Sequence, residues 1–210
     1  LAARLRSQTW PAHRQVEATT FVRALLGGTL ERPAYCLLLA NLHAIYAALE
    51  AALVRHAAHA AVVQVVTPAL FRRDALASDL NFLHGPGWRE TLPLQPAAVD
   101  YVRRLRELDR GGPDLLVAHA YVRYLGDLSG GQALQRVVAR AFGLPGTEGT
   151  RFYDFGASAQ VAELVRSFRD GLDRIGGDAS ASASEAIVDE AADSFRRHER
   201  LFDELDRARL

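Results

Sequence analysis

Cysteine occurs once in these 210 residues, at Cys36 inside an apolar stretch. One thiol excludes an internal disulfide and leaves no thiolate set for a structural zinc or an iron–sulfur centre, so a buried structural role is expected for it. Lysine is missing altogether. All 25 basic residues are arginine, and 25 acidic residues balance them. A net charge of zero gives no footprint for nucleic acid and no general attraction to an anionic bilayer. No apolar run approaches the ~20 residues needed to cross a membrane, and the N-terminus lacks a continuous signal-peptide core. The chain is therefore expected to be soluble and cytoplasmic, with neither nucleic acid nor membrane as a partner. A Gly-x-Gly-x-x-Gly fingerprint for a dinucleotide is missing too, as is any internal repeat.

What the chain does have is helical periodicity. Nearly every segment between linkers carries the 3.6-residue pattern, few carry a strand's alternation, and 49% hydrophobic residues suffice for a core. The reading is all-α: one domain, 1–210, of seven or eight helices. The first should begin near Thr9-Trp10-Pro11 and stop at Gly27-Gly28. A second runs from Pro33 to about His59, with Tyr35, Leu38, Leu42, Ile45, Tyr46 and Leu49 facing the core. A third spans Pro68 to about Leu83, and a fourth opens at Pro96, with Arg103, Arg104 and Arg106 facing solvent. Pro113 starts a glycine-bearing helix reaching Phe142, and Phe152–Phe155 anchors the following loop. Ser158 to Ile175 is helical, Gly176–Ser184 reads as a flexible small-residue connector, and a last helix covers about Ser184 to Arg207 with Phe195, Leu201, Phe202 and Leu205 inward.

Stability explains the stretch His119–Gln132 least well. Gly126, Gly130 and Gly131 fall within six residues of a helical pattern, and each costs roughly 1 kcal/mol relative to alanine. Arg123, Gly126, Asp127 and Gly130 share one stripe, a strip of bare backbone flanked by an arginine and a carboxylate. Bare backbone admits something flat. Arg123 and Asp127 also stand four apart, the spacing of an ordinary helical ion pair, and both readings can hold together.

Tyr121–Gln132, YVRYLGDLSGGQ, resembles the signature helix of the haem oxygenases nearly residue for residue. His13–Glu17 (HRQVE), Leu42–Glu50 (LHAIYAALE), Asp79–Trp88 (DLNFLHGPGW) and Leu201–Leu205 (LFDEL) resemble that family in the same order, so the resemblance covers most of the chain. It implies a helical bundle holding haem b, both cofactor and substrate, between a proximal helix and a glycine-kinked distal helix. The activity implied is cleavage of haem with dioxygen and external electrons to biliverdin, carbon monoxide and ferrous iron. A ferredoxin, a flavoprotein reductase or a similar donor would supply the electrons, because the chain builds no flavin or iron–sulfur site. A monomer of the soluble bacterial type is implied, since the charged helix ending at Leu210 is not followed by the membrane anchor of mammalian relatives. Two rivals stay open: a haem carrier of the same fold without turnover, and a helical bundle sharing only the architecture.

The resemblance also assigns roles. With no methionine present and Cys36 in apolar surroundings, an axial ligand must be one of seven histidines. His13 matches the family's proximal ligand, and Glu17, four residues on, can orient its imidazole. On the distal side Gly126 and Gly130 match positions that pack against haem by backbone. Asp127 matches the carboxylate that organises proton-delivering water, with Arg123 and Tyr46 beside it; Tyr46 reads equally as a core aromatic. Arg6, Tyr121 and Arg166 match contacts to the propionates, while Ala162 stands where the family often has a second basic residue. Phe155, Phe195 and Phe202 suit apolar walls. His119 is expected to be a buried hydrogen-bonding residue, and His198, non-histidine in the relatives, a solvated one, with contact to the distal network or competition for iron as the alternative if it faces the haem.

Overall fold

In the computed structural model, which describes residues 1–209, the regular elements are all helical. They are α1 (Ala2–Ala18), α2 (Thr20–Leu26), α3 (Arg32–Arg55), α4 (Arg73–Leu83), a single-turn α5 (Trp88–Thr91), α6 (Pro96–Gly111), α7 (Leu116–Ala120), α8 (Gly126–Phe142), α9 (Ser158–Asp178) and α10 (Ala181–Ala208). The all-α expectation holds. Ten α-helices replace seven or eight because the first and the glycine-bearing helix are each split and α5 adds a turn.

α3 is the core helix. Fourteen of its 24 residues are buried, among them the whole expected stripe Tyr35, Leu38, Leu42, Ile45, Tyr46 and Leu49. Each Leu or Ile so buried contributes ~1.5–3 kcal/mol, and Cys36 is buried among them. α3 also corrects the expectation about apolar length. Arg32–Arg55 is long and apolar enough to cross a bilayer, with a mean hydropathy of 1.7 in its most apolar stretch, 61% of which is buried inside the fold. Its apolar surface is taken up by packing against α4 and α6. α10 lies along α1 and also meets α2, α6 and α7, so the first and last long helices enclose the same region.

Several boundaries differ from the sequence expectation for physical reasons. α1 starts at Ala2 and carries Pro11 in its interior. Proline there removes the bond to the Ser7 carbonyl, and Ser7 is exposed, so water can take that carbonyl. The helix stops instead at Thr19, whose extended backbone ends α1 and whose hydroxyl accepts from the Val22 amide to cap α2. α3 ends at Arg55, four residues early, where Arg55 and His56 are held by Asp109 at the end of α6. Pro68–Leu70 is a separate 3-10 turn; α4 follows only after Arg72, whose guanidinium is occupied by the carbonyls of Ala69, Leu70, Phe71 and Asp154.

The connector expected at Gly176–Ser184 shrinks to residues 179–180, because α9 runs on to Asp178 and Ser180 caps α10 by accepting from Ala183. Gly171 lets α9 press against the backbone carbonyl of Gln64, where no side chain would fit. Arg104, expected in solvent, reaches in to the buried Glu190, while Arg103 and Arg106 are exposed. The loop anchor at Phe152–Phe155 is present: Asp79 accepts from the amides of Arg151 and Phe152 at 2.9 and 2.8 Å.

The glycine-bearing segment is continuous but not uniform. Pro113 opens a 3-10 turn, α7 follows, and then Tyr121–Leu125 forms a π-helical turn before α8 resumes at Gly126. Such wide turns inside α-helices are rare and gather at functional sites. Gly143, in the left-handed region at φ 63°, closes α8.

Candidate functional site

α1 presents His13 with little holding it. Nδ1 is buried and has no hydrogen-bond partner; Glu17 Oε2 lies 3.7 Å away, too far for a bond but on the same helical face. The ring is clamped by aromatic neighbours instead. Trp10 stacks on it at 5.5 Å with planes 9° apart, and Phe195 of α10 meets it edge-on at 5.8 Å. An orphaned buried nitrogen is costly, and Glu17 is the group a bridging water could join to it; the ring makes no hydrogen bond and its side chain is 37% exposed.

The other half of the site is tightly bonded. Arg123, on the π-turn, donates from Nε to Tyr46 Oη at 3.0 Å, from Nη2 to Asp127 Oδ1 at 3.1 Å and from Nη1 to His198 Nε2 at 2.9 Å. The Tyr46 hydroxyl in turn donates to Asp127 Oδ2. The expected Arg123–Asp127 pair is therefore present, extended by a tyrosine from α3 and a histidine from α10. Burial raises the Asp127 carboxyl above its ordinary range, although Arg123 and the Tyr46 hydroxyl pull it the other way. Burial also works against the Arg123 charge, yet the oxygens of Tyr46 and Asp127 hold the guanidinium above its usual value. Both Asp127 oxygens take protein donors and keep lone pairs for water.

The three glycines separate by what surrounds them. A side chain at Gly131 would meet the Tyr153 carbonyl oxygen at 3.3 Å, so close packing inside the protein accounts for it. At Gly126 and Gly130 a methyl group would meet nothing within 4 Å. Internal packing does not require those two glycines, and the open strip of backbone beside Asp127 is a cradle that side chains would fill.

The two halves are tied together. Thr9 Oγ1, one turn before His13, lies 3.4 Å from Tyr121 Oη at the head of the π-turn. α10 touches both through Phe195 and His198, and Phe202 packs between Phe21 and His198. The remaining expected residues make other contacts in this structure: Arg6 is exposed on α1, Arg166 is exposed and paired with Glu163, and Phe155 stacks under the Arg72 guanidinium at 3.9 Å. His119 is buried as expected, bonding Tyr101 Oη at 3.0 Å and Glu190 Oε1 at 2.9 Å.

His198 contradicts the expectation of a solvated position: it is 2% exposed. Its spacing carried the signal. It stands three residues after Phe195 and four before Phe202, on the inward stripe of α10. Trp10, read only as part of a helix start, turns out to stack on His13.

Fold and site together define an all-helical protein that carries an imidazole without hydrogen bonds on α1 and, on the π-turn and α8, a carboxylate–arginine clamp beside bare glycine backbone. Comparison with known proteins is unambiguous. The family model described as Heme oxygenase matches residues 1–204. Heme oxygenase 1 of Nostoc sp. is 37% identical over 206 residues, covering 98% of this chain and 86% of that protein, and human heme oxygenase 1 is 37% identical over 207 residues, covering 98% and 71%. Among solved structures, heme oxygenase-1 from the cyanobacterium Synechocystis sp. PCC6803 in complex with heme superposes with a TM-score of 0.91 at 34% identity, covering 99% of this chain and 92% of the other. The Leptospira interrogans heme oxygenase gives 0.91 at 34%, covering 97% and 98%. The chain belongs to the heme oxygenase family.

Proposed function

We propose that the chain binds haem between α1 and the glycine face of the π-turn and α8, and cleaves it with dioxygen and externally supplied electrons to biliverdin, carbon monoxide and ferrous iron. The observation that carries this reading is a histidine, His13, that makes no hydrogen bond and is 37% exposed, together with open backbone at Gly126 and Gly130. His13 would hold the haem iron through Nε2, with Nδ1 turned to Glu17, directly or through water. Gly126 and Gly130 let the haem plane approach backbone, and they place no strong side-chain donor over the open axial position.

Asp127 holds water as a proton relay. Arg123 and Tyr46 fix both of its oxygens, so the carboxylate keeps one orientation while water occupies its free lone pairs. Arg6, Tyr121 and Arg166 provide the cations and the hydroxyl for the two propionates. Phe195 and Phe202 wall the site; Phe155, under Arg72, serves the fold. A single buried cysteine cannot build an iron–sulfur centre, so electrons come from a separate donor of the ferredoxin or flavoprotein-reductase kind. The chain acts as a monomer in the cytoplasm.

A visible spectrum with one equivalent of ferric haem tests the reading. The Soret band of a histidine-ligated haem should appear and, under air with ascorbate, give way to the broad red absorption of biliverdin. A band that persists with ascorbate and with reduced ferredoxin would make the protein a carrier, and no band at all would sink haem binding.

A further inference from the structure

The clamp on Asp127 depends on a third contact that the roles above leave unused. Arg123 Nη1 points to α10 and meets His198 Nε2 at 2.9 Å. A guanidinium is always protonated and accepts nothing, so Nε2 must carry a lone pair. The ring proton then sits on Nδ1, which donates to the Ser194 carbonyl at 2.8 Å. Both nitrogens are thereby committed, and the ring is neutral in one tautomer. Its faces are committed as well: Tyr101 meets it edge-on at 5.0 Å and Phe202 lies at 6.3 Å.

The titratable and charged groups around His198 are Arg123 from the π-turn, Tyr101 from α6 and His119 from α7. Tyr101 Oη is engaged with Ser194 Oγ at 2.6 Å and with His119 Nδ1 at 3.0 Å, and His119 Nε2 faces Glu190. Those groups bond one another and leave His198 Nε2 to Arg123. Burial and the adjacent Arg123 charge both hold the His198 imidazole well below its ordinary value, in keeping with a ring that serves as acceptor only.

We propose that His198 is a positioning residue for Asp127: by accepting from Arg123 Nη1 it fixes the guanidinium plane, so that Nη2 and Nε address Asp127 and Tyr46 and keep the carboxylate ionised and aimed. Without that acceptor the guanidinium is free to swing toward water and its charge leaves Asp127. The consequence for turnover rests on the haem-cleaving reading; the tautomer and the charge state of Asp127 do not.

The experiment uses the full chain, first free of haem. Long-range proton–nitrogen NMR, with His198 assigned by its loss in H198Q, should show Nδ1 protonated and Nε2 bare between pH 5.5 and 8. A protonated Nε2 would overturn the proposal. Carbon-detected titration should then place the Asp127 midpoint higher in H198A by about one pH unit, a tenfold change in protonation. H198Q, whose amide oxygen can accept from Nη1, should restore it, while H198L, apolar and of similar bulk, should not. If H198A fails to fold, the contrast between H198Q and H198L decides. With haem bound, the acid limb of the turnover profile should move upward with the Asp127 midpoint, at a haem affinity changed less than twofold. An unmoved Asp127 midpoint in folded H198A or H198L would refute positioning, as would a bis-histidine haem spectrum in the parent protein that H198A abolishes. Haem binding without turnover in the parent would defeat the enzymatic reading alone, because the two haem-free measurements judge His198 without it.

Discussion

The two sides of the site are held in opposite ways. His13 is oriented by rings and makes no hydrogen bond at Nδ1, whereas Arg123 on the far side has all three of its nitrogens bonded. The first arrangement leaves bonding capacity for a ligand and the second leaves none. A group that must form a new bond is kept short of partners, and a group that must hold a carboxylate still is saturated with them. Perturbation should therefore separate the sides, the proximal one through binding and the distal one through chemistry and stability.

The largest effect is expected from His13→Ala. The Soret band of axial histidine ligation and all turnover should be lost, while unfolding in urea should shift by only about 0.5–1.5 kcal/mol, for the lost ring contacts with Trp10 and Phe195, with no internal hydrogen bond broken. Retained turnover with an unaltered spectrum would reassign the ligand. Asp127→Ala should do the reverse. Haem should still bind, biliverdin yield should collapse, and about 3 kcal/mol of stability should go, because the Arg123 charge remains nearly buried with its carboxylate gone. A normal biliverdin yield would end the relay role.

Acidification should weaken the distal side selectively. His119 and His198 are both lowered by burial, so below about pH 6.5 the unfolded chain takes up protons that the folded chain refuses. Each ring alone makes stability fall as pH drops, by up to ~1.4 kcal/mol per unit, while the buried carboxyls of Glu50 and Asp79, raised by burial to about 7 and about 6, take up protons in the folded chain and act the other way. Urea melts from pH 7.5 to 5 should lose more stability in the parent than in H198Q, and the difference is His198's share. Glu190, held near 2 by His119 and Arg104 against the effect of its burial, adds a further loss from about pH 4.5 downward, because its folded value is depressed.

The smallest and most discriminating change is alanine at the glycines. At Gly126 or Gly130 it should raise stability by ~0.5–1 kcal/mol, since helix propensity improves and nothing is struck. Haem titration of the same variants should nevertheless show weaker binding. At Gly131 the stability gain should vanish against the Tyr153 carbonyl, and tight haem binding by the Gly126 and Gly130 variants would show that the face is not used.

Helical content was legible because period and punctuation agree at most elements: Pro33 and Pro96 stand in the first turns of α3 and α6, and Gly143 closes α8. The start of α1 was not legible. A proline so near the N-terminus reads as a first turn, and only an exposed Ser7 carbonyl makes an interior position tolerable. The π-turn was hidden as well, since a wider turn leaves the spacing of side-chain types unchanged and is selected by packing against α10 and α8. Of the site, His13, Glu17, Arg123 and Asp127 could be named from the residues together with the family pattern. The charged residues around His198 on α10 favour a solvated position, whereas its spacing from Phe195 and Phe202 places it inward, where it meets Arg123 as its other reading allows.

The π-turn at Tyr121–Leu125 also sets an angle. Each residue of an α-helix advances about 100° around the axis, so a turn that accommodates one extra residue rotates everything after it by that much relative to α7. Were this stretch to wind as a regular α-helix with every residue kept, Gly126, Asp127 and Gly130 would stay chemically intact but turn away by about that angle. The signature is thus a matter of winding as well as of letters, and a chain that keeps every named residue while losing the wide turn would no longer present them to the same ligand.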